Sequence, residues 1–230
     1  MQQYSKALLY ADSSLQVNSN LINYNSLSPS AAAPFVQFNT EVIFAATNAG
    51  DARFSVNNLL VDSLLYQSYQ TDDLRKTLFF KNLSPQPGYG FKGNYDGNTY
   101  GQLFSGLAVD EMFLIKAECQ ARVGTHTSAL QTLNALLITR WRTGTFVPFT
   151  AATNQQALDI ILVERRKELV GRSLRWQDLR RYNLNPATAI TLKRLVNGTV
   201  YLLPPRHPNY TFYIPQLVIQ ESGIQQNTRQ

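Results

Sequence analysis

The chain has a single cysteine and two histidines among its 230 residues, and these shortages exclude more than any motif it contains. Cys119 has no intrachain partner for a disulfide. Its neighbours Met112, Phe113, Leu114, Ile115 and Ala121 predict a buried small hydrophobe. Neither His126 nor His207 has a metal-ligand or triad partner at a recognised spacing. A glycine-rich phosphate loop, a nucleophile elbow and a CxxC pair are all missing, so no metal or cofactor is expected. Carboxylate pairs for sugar hydrolysis assemble in space, not in sequence, which leaves a hydrolase as a third reading. The adjacent acids Asp72-Asp73 and Asp110-Glu111, however, stand where helix starts place acids to meet the dipole. No run of 18 apolar residues is present, and the opening MQQYSKALLY lacks the basic start and apolar core of an export signal.

Charge is also sparse. Charged residues make up 16% of the chain, and Asn plus Gln, at 36, equal all Asp, Glu, Lys and Arg together. A surface solvated by neutral amides, with 12 Tyr and 12 Phe, suits neutral polar ligands better than polyanions. The net charge of +6 lies wholly in residues 164–194, which hold nine basic and three acidic residues. There Glu164, Glu168 and Asp178 stand three or four residues from Arg or Lys, the spacing of helical ion pairs. The arginines therefore read as fastenings of a scaffold, and nucleic acid is not an expected partner.

What is present is apolar periodicity. Ala7, Ala11 and Leu15 recur every four residues, with Leu8 and Leu9 beside them. This predicts a first helix within residues 1–25 whose apolar face has no upstream partner, as if Met1 began inside a structural unit. Residues 26–107 read as a loop-rich insert. It has a strand-like run at 41–45, a helix over about 55–69, a capped start at 71–75, and a stretch from 79 to 104 with seven aromatics, five glycines and little periodicity. Residues 108–182 are helical. Val109 to Ala121 precede a break at Gly124, and Ala129 and Leu133 follow at the spacing of a tetratricopeptide (TPR) helix pair, in which Ala117 and Ala129 let the helices approach. Further helices are expected over 154–170 and 175–182. Residues 183–230 read as extended, with strand-like pieces at 201–204 and 212–215 and a last helical turn from Pro215.

Four motifs in order carry a resemblance: the Glu111-Met112-Phe113-Leu114-Ile115-Lys116-Ala117-Glu118 helix, the Glu164-Arg165-Arg166-Lys167-Glu168-Leu169 helix, the Arg175-Trp176-Gln177-Asp178-Leu179-Arg180-Arg181 sequel, and the tail from Ile214-Pro215 to Gln226-Asn227. Together they resemble SusD/RagB proteins, most strongly from Asp110 to Asn227. The sequence departs where the family has an aromatic and Glu-Gly and this chain has Gly171-Arg172-Ser173-Leu174, and in a tail lacking the family's Pro-Gly-aromatic finish. The resemblance implies a mainly α, TPR-like helical-repeat superhelix with long loops and a few short strands. It also implies the C-terminal portion of one such domain, from a lipid-anchored protein of the outer membrane that faces outward. Such proteins bind oligosaccharides or other nutrients without catalysis and cap SusC-like TonB-dependent transporters.

The family's motifs are scaffold and transfer no binding site, so ligand contacts must be sought in the loops. Flat rings beside fixed polar groups suit sugars. That makes Tyr89, Phe91, Asn94, Tyr95, Asp96 and Tyr100 the candidates. The competing expectation is a helical-repeat protein-interaction module in which these aromatics only pin the loop.

Overall fold

The computed structural model describes residues 2–229. They fall into two compact units, one ending at Leu174 and one beginning at Arg175.

The first unit is built on four helices: α1 (Tyr4–Val17), α4 (Val109–Val123), α5 (His126–Leu137) and α6 (Asn154–Glu168). Their starts follow local chemistry. Thr125 and Thr153 cap α5 and α6, their side chains accepting from the Ser128 and Gln156 backbone N–H groups. Asp110 and Glu111 occupy the first turn of α4, and Gly124 follows its end. α4 packs against α1, α5 and α6. Ala117 and Ala129 are fully buried in the same core as Leu114, Leu133, Leu136 and Ile161, as the TPR-like spacing predicted. Cys119 is also buried.

Between α1 and α4 the chain forms a second, aromatic core: Tyr24, Phe35, Phe79, Phe80, Phe91, Tyr95 and Phe104. Its secondary structure is short. β1 (Val42–Phe44) pairs antiparallel with β4 (Leu107–Ala108), and α2 (Ser63–Gln67) and α3 (Arg75–Phe79) lead into a ribbon of β2 (Phe80–Asn82) and β3 (Tyr89–Phe91). The helix expected over 55–69 is confined to α2. The reason is long-range: Val61 donates its N–H to the Tyr89 carbonyl and Leu60 bridges Gly90, so residues 60–61 extend along the ribbon instead of coiling.

The second unit contains α7 (Arg175–Tyr182), the hairpin β5 (Leu192–Val196) and β6 (Thr199–Leu203), and α8 (Gln216–Ser222). Asn197 and Gly198, both at positive φ, turn the hairpin. Pro215 stands immediately before α8, and Gly223 ends it at φ +68°. The strand expected at 212–215 is absent: Trp176 lies 5.3 Å from Phe212, nearly parallel, and the Ile214 N–H is held by the Gln226 side chain.

Candidate ligand-binding site

The loop from Gly93 to Phe104 owes its shape to Asn94. Its amide donates to the Asn98 and Gln102 carbonyls and its oxygen accepts from Phe104 N–H at 2.9 Å. Asn94 is therefore buried by the bonds that close the loop. Tyr95 points inward. Its hydroxyl donates to Glu41 at 3.0 Å and lies 2.8 Å from the Tyr24 hydroxyl, and its ring packs 4.7 Å from Phe35. Phe91 is also buried, its ring against Gly171. A ring that stacks on a sugar must offer a free face. Phe91, Asn94 and Tyr95 do not form an open surface; they hold the scaffold beneath one.

Three candidates remain accessible. Tyr100 is 81% exposed, and its N–H is fixed by Asn98 Oδ1 at 3.1 Å. Asp96 is held by Gln37 at 3.0 Å and by the Asn98 amide. A flat ring thus stands in one hydrogen-bonded loop with an oriented carboxylate and amide. Tyr89 lies apart, stacked on Tyr66 with ring centroids 3.6 Å apart. Beside Phe91 opens a largely apolar cleft of about 320 Å³, walled by Phe54, Leu60, Leu65, Leu103 and Val170.

Beneath these loops runs an ion network that sequence reasoning found only in part. Arg75, fully buried, binds Asp73 at 2.7 Å, Glu164 at 2.6 Å and Glu168 at 2.9 Å. Arg140, also fully buried, binds Glu168 at 2.7 Å and Glu41 at 2.9 Å and donates to the Ile22 carbonyl. Lys167 joins Asp73 and Glu164. The fastening role expected of the 164–181 cations holds: Arg172 pairs with Asp110 at 3.1 Å and Arg181 with Asp178 at 2.8 Å. Asp73 and Asp110 serve these ion pairs, beyond any helix dipole. The partners Arg75 and Arg140 had no sequence signal, because each lies 28 or more residues from the α6 acids it binds.

Burial pushes the Glu41 carboxyl up to about 7 against the pull of Arg140, with Asp110 and Glu168 adding to the rise. Among the described residues no group of three or more His, Cys, Asp or Glu is placed to hold a metal ion. No described helix is long and apolar enough to cross a membrane.

The SusD family profile matches residues 109–227, which is more than half of the chain. Solved structures share the fold at low identity. A SusD-like carbohydrate binding protein from Bacteroides vulgatus is 20% identical, with TM-score 0.67 over 96% of this chain and 55% of its own. Surface glycan-binding protein A from Bacteroides uniformis is 18% identical, with TM-score 0.68 over 98% and 56%. A SusD homolog from Bacteroides thetaiotaomicron is 17% identical, with TM-score 0.66 over 98% and 54%. The chain thus spans just over half the length of these proteins. No curated protein matches it in sequence. The mainly helical, TPR-like architecture agrees with these likenesses, and the chain belongs to the SusD family.

Proposed function

We propose that this chain is part of a non-catalytic protein that binds an oligosaccharide at the outward face of the outer membrane and delivers it to a SusC-like TonB-dependent transporter. The family match over 109–227 carries the reading. The names of two structural relatives, a carbohydrate binding protein and a surface glycan-binding protein, point the same way. Within this chain the ligand contact falls to Tyr100, with Asp96 tied to the same loop through Asn98 and Tyr89 as a separate aromatic surface. The exposed Tyr100 ring offers the flat apolar face that a pyranose presents its C–H groups to, and Asp96 is held in place to accept from a hydroxyl.

A glycan array on the purified chain tests the reading, followed by titration with the best binder. Tyr100→Ala is expected to weaken that binding about tenfold, or about 1.4 kcal/mol. Because the ring is exposed, stability should stay within about 0.5 kcal/mol. An array on which no saccharide binds would defeat the proposal. Binding that survives Tyr100→Ala unchanged would move the contact elsewhere.

A further inference from the structure

On the loop-rich part of the first unit, a cleft of about 450 Å³ lies between the Pro29–Ala32 backbone and the start of the β2–β3 ribbon. Its size is within the range of small-ligand sites. Three of its lining residues are lysines, Lys76, Lys81 and Lys92, and none is acidic. In a chain where most buried cations are matched to carboxylates, these three have no carboxylate partner among the described residues.

Each ammonium is positioned by something neutral. Lys92 is 7% exposed, and its Nζ donates to the Pro29 carbonyl at 2.5 Å and the Ala31 carbonyl at 3.2 Å. Lys76 donates to the Tyr69 carbonyl at 3.0 Å and sits 5.2 Å from the centre of the Tyr66 ring, which also lines the cleft. Lys81, exposed, reaches only the Asn57 side-chain oxygen at 3.4 Å. Carbonyl dipoles orient these cations without neutralising them, so the cleft keeps a positive potential that low-dielectric walls concentrate. Burial holds the Lys92 ammonium below its usual range, and the neighbouring Lys81 charge lowers it further. An anion between the two would relieve both effects. Asn82 and Thr77 complete the lining with groups that bond hydroxyls.

We propose that this cleft is a subsite for the anionic group of an acidic saccharide, a carboxylate or sulfate carried on a sugar ring, recognised by Lys76, Lys81 and Lys92 beside the Tyr66 ring. The inference rests on the saccharide-binding reading and narrows its ligand class. A neutral glycan would leave three uncompensated charges around it. Asn82 Oδ1 already accepts from Ser84 N–H and the Thr77 hydroxyl donates to the Leu74 carbonyl, so the Asn82 amide N–H groups and the Thr77 oxygen are what a sugar hydroxyl would bond and a polyanion without hydroxyls would use less fully.

The test is calorimetric titration of the whole chain with a galacturonic acid oligomer, a sulfated disaccharide and an uncharged galacto-oligosaccharide of similar length. At least one acidic probe is expected to bind about tenfold or more tighter than the neutral one. That preference should shrink as NaCl rises from about 0.02 to about 0.2 M. The two acidic arms separate carboxylate from sulfate recognition. The double variant Lys76→Gln/Lys81→Gln, with Lys81→Glu as a single-site check and circular dichroism for folding, should lose the acidic preference while keeping any neutral binding. Lys92 is left intact because it holds the Pro29–Ala32 loop. Equal binding of acidic and neutral probes, or an acidic preference unchanged in both variants, would overturn the subsite and leave saccharide binding standing. If none of the probes binds, and no glycan binds on the array, both readings fall together.

Discussion

Ser173 holds φ +61°, a left-handed conformation that costs an L-residue of its kind about 1 kcal/mol. Two positions earlier, Gly171 has φ +74°, and a Cβ there would meet the Phe91 ring at 2.3 Å. Gly171-Arg172-Ser173 thus meets the demands of a tight left-handed turn with its own set of residues. Here the space beside the turn is filled by Phe91 from the ribbon, Arg172 turns inward to Asp110, and a serine bears the backbone strain. Ser173→Gly should accordingly raise stability by about 0.5–1 kcal/mol in urea unfolding, and Gly171→Ala should lower it by more than that. A neutral or destabilising Ser173→Gly would show that the serine side chain has a role that outweighs its strain. The same residues explain why the candidate site was only partly legible. Glycine-spaced aromatics announce an ordered loop, but whether Tyr95 faces solvent or Glu41 depends on partners 54 residues away.

At the scale of elements, the α4–α5 hairpin is the most local feature and the most legible one, because its evidence lies within one stretch: Gly124 as the break, and Ala117 and Ala129 as the small residues of the contact; the structure adds the Thr125 cap in that same stretch. The packing reading has a direct test. Ala129 has no exposed surface, so Ala129→Leu must push α4 and α5 apart or force strained rotamers, with an expected loss of about 3 kcal/mol. Gln131→Leu, on the exposed side of the same helix, should stay within about 0.5 kcal/mol. If urea unfolding gives similar values for the two, the close approach at Ala129 is not what positions these helices. The insert was harder to read for the opposite reason. Its strands are two or three residues long, too short for a period, and the extended course of Leu60 and Val61 is imposed by Tyr89 and Gly90.

At the scale of the whole molecule, the buried ion network ties segments that are remote in sequence into one electrostatic unit. Glu41, Asp73, Glu164 and Glu168 supply four carboxylates to the three cations Arg75, Arg140 and Lys167. One carboxylate is in excess, and Glu41, whose carboxyl is pushed from 4.5 to about 7, is the group that can remove it by taking a proton. Between those two values the folded chain binds a proton that the unfolded chain releases. The associated stability is fully present below about pH 4.5, falls as pH rises, and is lost above about 7; it amounts to on the order of 3 kcal/mol. Asp73 works the other way. Its carboxyl is lowered: burial alone would raise it, and the charges of Arg75 and Lys167 with their hydrogen bonds outweigh that rise. Its contribution is present at neutral pH and is lost in acid. Stability should therefore peak in mildly acidic solution and decline toward about pH 8. Glu41→Gln keeps an oxygen for the Ile22 N–H, which the glutamate accepts at 2.7 Å, and removes the excess charge. Thermal unfolding of this variant should stay level between about pH 6 and 8 while the parent loses several degrees. A parent curve equally flat over that range would show that Glu41 is ionised throughout and that the network carries its extra charge without cost.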